Sequence, residues 1–348
     1  MDLISGTKGK VTWKSPSNIA LVKYWGKHGR QLPGNPSISF TLEQAHTITD
    51  VSYFVHDSDK DALSVKFSFE GEENPAFADR IITFLESVQA DYPFLKHLSL
   101  EINSQNSFPH SSGIASSASS MSALALCVVS IERELLQADA IDFQKASNLA
   151  RLGSGSASRS VYGPVVIWGQ SQGIANSSDL HAIPFEGTLN PIFDNFHDDI
   201  LIISDEKKSV SSTAGHALMD TNPYQESRYK QAHTHISEII KTLENGDLET
   251  FGLIVEKEAL TLHALMMASS PPYILMEPNT ITAIRDIQTF RKNTNIPVFF
   301  TLDAGPNIHL LYPEKYKNEV KPLLEHLSYL CVDEKIISDN ISNGPVEL

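Results

Sequence analysis

The sequence predicts an α+β fold whose two halves differ in character, and three observations carry that prediction. Leu63-Ser-Val-Lys-Phe-Ser-Phe69 alternates apolar and polar residues strictly, the period of a half-buried strand. Three long stretches, 224–243, 248–267 and 280–292, repeat apolar residues at helical spacing. The strand-rich first half gives way to those helices near residues 185–200. The expected division is therefore a lobe of residues 1–190 followed by a lobe of residues 191–348. A chain of 348 residues is long enough for two lobes with a shared cleft.

Residues 46–55 are rich in β-branched and aromatic side chains and are expected to be the hairpin partner of 63–69. Residues 75–89 have helical spacing, with Phe77, Ile81, Phe84 and Leu85 on one side. A strand is expected at 98–102, helices at 113–136 and 141–152, and a short apolar strand at 162–169. Residues 199–205 read as a strand that opens the second half. Pro223 suits an early helix position behind Asp220 and Thr221 as caps, and Pro271-Pro272 stops the second long helix. Strands are expected at 297–302 and 308–312 around the turn Asp303-Ala-Gly-Pro-Asn307. A partly helical stretch and a last strand at 329–332 complete the chain.

Formal net charge is −15, which argues against a nucleic-acid partner, since that would need clustered cations along one face. A few local Lys and Arg residues can still reverse the field inside a cleft. The two cysteines, Cys127 and Cys331, cannot form a disulfide framework or a four-ligand zinc site. The first residues lack an apolar signal core, and no apolar run approaches the roughly 20 residues needed to span a bilayer. The expectation is a soluble, cytoplasmic protein with no membrane partner.

Four polar clusters fall in expected turns. The first, Ser17-Asn18-Ile-Ala-Leu-Val-Lys23-Tyr24-Trp25-Gly26-Lys27, sets two lysines beside an aromatic pair, which suits an anion-binding wall or a surface strand with snorkelling lysines. The second is Pro109-His-Ser-Ser-Gly113-Ile-Ala-Ser116-Ser117-Ala-Ser-Ser120. Seven of the twelve residues from Ser111 to Ser122 are serine. A strand, a small-residue loop and a helix start direct backbone N–H groups, hydroxyls and the helix dipole at an anion. No Gly-Lys-Ser/Thr follows, so this is not a Walker loop; a Ser-rich cap on an ordinary core helix is the alternative. The third, Arg151-Leu-Gly153-Ser154-Gly155-Ser156-Ala-Ser158-Arg159-Ser160, either combines arginine forks with small neighbours that let a phosphate or carboxylate come close or is a tight loop with an incidental arginine. The fourth is Asp303-Ala304-Gly305-Pro306-Asn307, where an Asp either caps its own turn or faces the other clusters. A phosphate-cradling loop, several cations and one carboxylate together suggest phosphoryl transfer to a hydroxyl.

In this order the clusters resemble the GHMP small-molecule kinase superfamily, and most of all its decarboxylating branch, the diphosphomevalonate decarboxylases. The anchors are Asn18-Ile-Ala-Leu-Val-Lys-Tyr-Trp-Gly-Lys27, Pro36-Ser-Ile-Ser-Phe-Thr-Leu42, Gly113-Ile-Ala-Ser-Ser-Ala118, Gly153-Ser-Gly-Ser-Ala-Ser-Arg-Ser160, Val210-Ser-Ser-Thr-Ala-Gly215 and Asp303-Ala-Gly-Pro-Asn307. The resemblance implies a two-lobed α+β fold with the active site between lobes, ATP and Mg²⁺ as cofactors, and a homodimer. It implies that ATP phosphorylates the 3-hydroxyl of mevalonate 5-diphosphate, and that loss of phosphate and CO2 gives isopentenyl diphosphate. By residue match, Asp303 is the acid/base group, Arg159 holds the substrate carboxylate or positions Asp303, and Lys23 lies near the transferring phosphoryl. Tyr24, Lys27, Arg80, Ser154, Ser156, Ser211 and Ser212 fall to the substrate. Pro109, Ser112, Gly113, Ala115, Ser116 and Ser117 fall to ATP, with Ser116 and Ser117 also at the metal. His263, in a segment that resembles a family helix near the site, is left structural or substrate-facing. Two departures stand out: His110-Ser111-Ser112-Gly113 replaces the frequent Thr-Ala-Ala-Gly, and Ser158 replaces a frequent Cys.

Three other readings share these residues. One is a decarboxylase acting on mevalonate 5-phosphate, and another is a GHMP kinase that stops after phosphorylation. The third is a catalytically silent ligand-binding protein on the same fold. Such a protein would be expected to have lost Asp303, Lys23 or Arg159, and all three are present.

Overall fold

A computed structural model describes residues 4–56, 62–108, 116–206 and 210–348. In chain order the elements begin with β1 (Lys8–Val22), β2 (Lys27–His28), β3 (Leu32–Pro33), β4 (Ser37–Val55), β5 (Ser64–Phe69), β6 (Glu72–Glu73), α1 (Pro75–Ser87), β7 (Leu98–Asn106), α2 (Ser116–Leu136), α3 (Phe143–Gly153), β8 (Val165–Trp168) and β9 (Ala182–Pro184). There follow β10 (His197–Leu201), α4 (Ser212–Ala217), α5 (Gln225–Asn245), α6 (Leu248–Met267), α7 (Pro278–Thr294), β11 (Phe299–Thr301), β12 (Ile308–Tyr312), α8 (Lys317–Ser328), β13 (Ile336–Ile337) and β14 (Val346–Glu347).

The first sheet runs β14-β1-β4-β7-β5-β6, with β8 on β4 and β9 on β8; the second runs β11-β12-β10-β13. β4 is the spine of the first sheet. One edge pairs with β1 over nearly its whole length, from Lys8↔Phe54 to Val22↔Ile38. The other edge is shared by β7 and β8. This occupancy overturns the expected hairpin between 46–55 and 63–69. Both edges of β4 are taken, so β5 lies beyond β7 and pairs with it in parallel. β1 changes register between Pro16 and Asn18 and again between Ala20 and Val22, which re-aims the side chains that follow.

Packing explains why β1 is continuous yet alternates only at its start. Trp13 and Val11 face α2 and α3, in a core with Val51, Tyr53, Leu100, Leu124, Val128 and Leu149. From Ser15 onward every residue of β1 is buried. There the strand is covered from the other side too, where Ile19, Leu21 and Phe40 meet Phe193, Phe196, Ile236, Ile239 and Phe251. Phe40 lies 6.0 Å from the Phe196 ring and 6.1 Å from the Phe251 ring, stacked with the latter. The two lobes thus share one apolar seam, and the end of β1 is locked against α5 and α6. A third core joins the second sheet to α7 and α8.

The amphipathic helices fall where periodicity sets them, α6 with the expected bounds. Three local expectations fail for identifiable reasons. The strand expected at 199–205 is β10, shifted toward the N-terminus. Asp198 and Asp199 are buried strand residues whose carboxylates accept from His309 and Tyr312. Asp220 and Thr221 belong to a short 3-10 turn, and α5 starts only after Tyr224, whose N–H donates to Asn222 Oδ1. Residues 329–332 are not a strand. Tyr329 is exposed and the chain enters a 3-10 turn at Val332, so the last strands are β13 and β14. Among the described residues no helix is long and apolar enough to cross a membrane.

Candidate active site

The end of β1 and the β11–β12 turn converge at the mouth of the seam. Lys23 is the first residue beyond β1, and its Nζ lies 3.0 Å from Asp303 Oδ1. The lysine is 1% exposed, whereas the Asp303 side chain keeps 31% of its surface open. Neither main chain is loose. The Lys23 N–H donates to Glu258 Oε2 at 2.8 Å, and its carbonyl accepts from Arg228 Nη2 at 2.7 Å and Asn35 Nδ2 at 2.9 Å. The Asp303 carbonyl accepts from Gly305 N–H at 2.8 Å and from His263 Nε2 at 3.1 Å. Thr280 and Asn307 pin the rest of the turn, through Pro306 O and the Ser204 N–H.

Arg159 sits on a 3-10 segment, Gly155–Val161, directly after α3. It is buried; its Nε donates to Ser39 Oγ and Asn18 Oδ1, and its Nη1 donates to Ser37 Oγ at 2.8 Å. Its guanidinium lies over Trp168 at 5.8 Å. Nη2 is the arm of the fork that no described residue engages, so a ligand carboxylate or phosphate suits it.

One cavity of about 880 Å³ collects these groups. Lys23, Tyr24, Lys27, Arg80, Ser116, Ser117, Ser154, Ser156, Arg159, Ser211, Ser212 and Asp303 all line it. Every expected site residue within the described part of the chain is therefore at one place. Pro109, Ser112, Gly113 and Ala115, with His110, lie outside the described residues. Ser116 and Ser117 open α2, and Ser154 Oγ donates to Ser117 Oγ at 3.3 Å, so the α2 start and the α3 end form one hydroxyl-lined wall. Ser211 caps α4 by accepting from Ala214 N–H. Arg80 is exposed on α1, with its guanidinium 5.7 Å from the Phe77 ring centroid. Beside it Phe67, Phe69, Ile81 and Phe84 give the same cavity an apolar end.

The electrostatics run opposite to the protein's net charge. Burial pushes the Lys23 ammonium below its usual range, and Asp303, Glu258 and Asp198 pull it back. Burial likewise lowers Arg159 to about 10, against the pull of Asp303 and Tyr24, so it stays charged at neutral pH. Lys27, whose Nζ donates to Gln31, is lowered by burial. Burial raises the Tyr24 phenol, and its oxygen has no partner among the described residues. Buried cations and hydroxyls in one cleft concentrate an anionic ligand there despite the acidic surface. Among the described residues no group of three or more His, Cys, Asp or Glu side chains is placed to hold a metal ion. The hydroxyls of Ser116 and Ser117 are hard oxygen donors, which fit Mg²⁺ that arrives with phosphate oxygens.

Several residues that shape the candidate site carry no signal of that role in the sequence. Ser37, Ser39 and Asn18 lie in recognised anchors, but their task of aiming Arg159 appears only in three dimensions. His216 carried no signal. Its ring packs at a tilt against both Tyr24 and Trp25, with ring centroids 4.3 and 4.6 Å away. Its Nδ1 accepts the Gly26 N–H at 3.0 Å, so the imidazole is neutral and carries its proton on Nε2. Burial, with Lys27 and Arg159 nearby, pushes its pKa down to about 3. Gly26 makes this contact at φ +93°, and a Cβ there would lie 2.2 Å from Tyr229 Oη. Gly26→Ala is therefore expected to lose at least about 1–2 kcal/mol of stability. A urea denaturation midpoint equal to wild type would contradict this.

The architecture is the GHMP kinase fold, a two-lobed α+β frame with its polar cleft at the seam. The chain belongs to the diphosphomevalonate decarboxylase family. Residues 15–180 match the diphosphomevalonate decarboxylase-like N-terminal domain and residues 199–345 match the mevalonate 5-diphosphate decarboxylase C-terminal domain. A diphosphomevalonate decarboxylase of Debaryomyces hansenii is 32% identical over 318 residues, spanning 88% of this chain and 80% of the relative. The crystal structure of mevalonate diphosphate decarboxylase from Staphylococcus aureus superposes with a TM-score of 0.84 at 28% identity, covering 98% of each chain. MDDEF in complex with MVAPP, AMPPCP and magnesium superposes with a TM-score of 0.83 at 27% identity, covering 98% of this chain and 99% of that one.

Proposed function

We infer that this protein catalyses the ATP-dependent decarboxylation of mevalonate 5-diphosphate, yielding isopentenyl diphosphate, ADP, phosphate and CO2. The observation that carries this reading is the Lys23–Asp303 pair, 3.0 Å apart, on a cavity that also holds Arg159 and the hydroxyl wall of α2 and α3. The family membership supports it.

A tertiary alcohol is a poor leaving group, and phosphorylation makes it a good one. Asp303, partly open to the cavity and held by Lys23, accepts the proton of the 3-hydroxyl as oxygen attacks the terminal phosphoryl of ATP. Lys23 offsets charge on the transferring group. Ser116 and Ser117 would hold Mg²⁺ with the ATP phosphates, where the ion screens their charge. As the C–O bond to phosphate breaks, Asp303 passes its proton to the departing phosphate, and the carboxylate so regained favours the electron-deficient carbon left behind. The bond between the carboxylate and its neighbouring carbon breaks next, and its electron pair becomes the new double bond as CO2 departs. Arg159 orients that carboxylate through the fork aimed by Ser37 and Ser39. Tyr24, Lys27, Arg80, Ser154, Ser156, Ser211 and Ser212 take the diphosphate end.

The decisive measurement is an end-point assay with ATP and Mg²⁺ that offers mevalonate 5-diphosphate and mevalonate 5-phosphate separately. One CO2, one phosphate and one ADP per diphosphate substrate are expected. ADP without CO2 would replace the reading with a plain kinase, and CO2 from the monophosphate alone would change the substrate. The homodimer remains part of this proposal. Leu253, Leu260 and Met267 form an exposed apolar stripe along α6 that suits such a contact, and light scattering on the purified protein tests it.

A further inference from the structure

We propose that α6 is the positioning element of the reacting pair: Glu258 fixes the main chain of Lys23, His263 fixes the main chain of Asp303, and one rigid helix thereby sets the distance between cation and carboxylate. The inference rests on the reading of Lys23 and Asp303 as the reacting groups. Glu258 and His263 are five residues apart on α6, about 7.5 Å along its axis. They reach the two chain segments that carry the pair, one at the end of β1 and the other at the β11–β12 turn.

Glu258 is 0% exposed, and both of its oxygens are engaged. Oε1 accepts from Arg228 Nη1 at 2.7 Å, His235 Nδ1 at 2.6 Å and Gln231 Nε2 at 3.4 Å. Oε2 accepts from Arg228 Nη2 and the Lys23 N–H. Arg228 then returns to the Lys23 carbonyl, so both main-chain polar groups of that one residue end on the same ion pair. A buried ion pair is a poor device for stability alone, because apolar side chains of similar volume do as well. Apart from Glu256, which pairs with Arg291, and His263, the buried face of α6 is otherwise apolar, with Phe251, Ile254, Val255, Ala259, Leu262 and Leu265. What a carboxylate adds at 258 is direction, together with a fixed negative charge behind the Lys23 ammonium.

That charge gives the proposal a readout that a purely structural role would not move. Charged and titratable groups around Lys23 come from every packed element: Asp303 from the β11–β12 turn, Asp198 from β10 with its partner His309 from β12, Glu258 and His263 from α6, Arg228 and His235 from α5, and Arg159 beside Asp303. Burial lowers the lysine, and Glu258 is one of the three carboxylates that oppose this. Glu258→Gln removes one of them while keeping an acceptor for the Lys23 N–H. The Lys23 titration, followed by NMR of ¹³C-labelled lysine and assigned with Lys23→Arg, is then expected to move to lower pH. The alkaline limb of kcat should move with it.

His263 supplies the second arm. His263→Leu is expected to lower kcat by about 10- to 100-fold, since small misplacements of reacting groups have effects of that size, with KM for both substrates within about twofold. His263→Gln, which keeps an N–H donor, should recover part of the loss. A folded Glu258→Gln protein with an unmoved Lys23 titration, or His263→Leu with wild-type kcat, overturns the proposal. If Glu258→Gln does not fold, the two His263 variants decide alone. If wild-type protein releases no CO2, the functional reading fails, and the lysine titration still decides whether Glu258 controls Lys23.

Discussion

Asp303→Asn is expected to bind both substrates and to release almost no CO2. The substitution is nearly isosteric. The bonds that shape the turn use main-chain atoms, the Asp303 carbonyl with Gly305 and His263, so the turn should survive. What disappears is the one charge that Lys23 Nζ meets at 3.0 Å and the only carboxylate lining the polar cavity among the described residues. Loss of a proton acceptor removes about 10²- to 10⁴-fold in rate. A second loss adds to it. Asp303 opposes the effect of burial on Lys23, so without it the lysine sheds its proton more readily, and the residual activity should fall further as pH rises. The measurements are kcat from CO2 release across pH, and calorimetric titration with each substrate. Turnover within tenfold of wild type would remove Asp303 from the chemistry.

The site was legible where chemistry sits in turns. Asp303, Arg159, Lys23 and the serines at 116, 117, 154, 156, 211 and 212 lie in short polar stretches between apolar elements. Residues there are not needed for a core, so their types speak directly of function. The residues that aim them were not legible, for a physical reason. Glu258, Arg228 and His235 are polar residues on helices, and at the sequence level such residues belong to solvated faces. They are buried because their partners come from elsewhere: Lys23 lies 235 positions from Glu258. His216 is the same kind of case, fixed by Gly26, 190 positions away.

The fold divides along a similar line. Helical periodicity is local, and α1, α5, α6 and α7 could be read from it. β1 could not. From Ser15 to Val22 it is covered on both faces, so the strand loses its alternation, and it contains Pro16 and two register shifts. The pairing of β4 is not legible locally, because pairing is a contest among all strands, and the nearest in sequence does not win when longer partners fill both edges. The end of β1 that periodicity could not read is also the segment that delivers Lys23. The features that hid the strand, double-sided burial and bulges, are those that carry a lysine into an interior position.

Arg228→Met is expected to have the largest effect on stability, although Arg228 has no place on the cavity. The variant leaves Glu258 fully buried with its bidentate partner gone. Removing one member of a buried pair costs about 3–5 kcal/mol, because the other charge stays behind uncompensated. Replacing both residues, Arg228→Met with Glu258→Leu, should recover part of that loss. The recovery stays incomplete because the Lys23 N–H then lacks its acceptor, at a cost of about 1–3 kcal/mol. The pH dependence supplies the sharper test. Burial alone would raise the Glu258 carboxyl, but Arg228, His235 and the Lys23 N–H hold it at about 2, below its ordinary 4.5. A folded-state value below the unfolded one contributes stability above the unfolded pKa, roughly 3 kcal/mol at neutral pH, and loses it as pH falls from about 5 toward 2. Without Arg228 the carboxyl rises toward its unfolded value and this contribution shrinks. Wild type and Arg228→Met should therefore differ most in urea midpoint at pH 7, and the gap should narrow by pH 3.5. A gap of equal size at both pH values would show that packing of the arginine side chain, rather than its charge on Glu258, holds the seam behind Lys23 together.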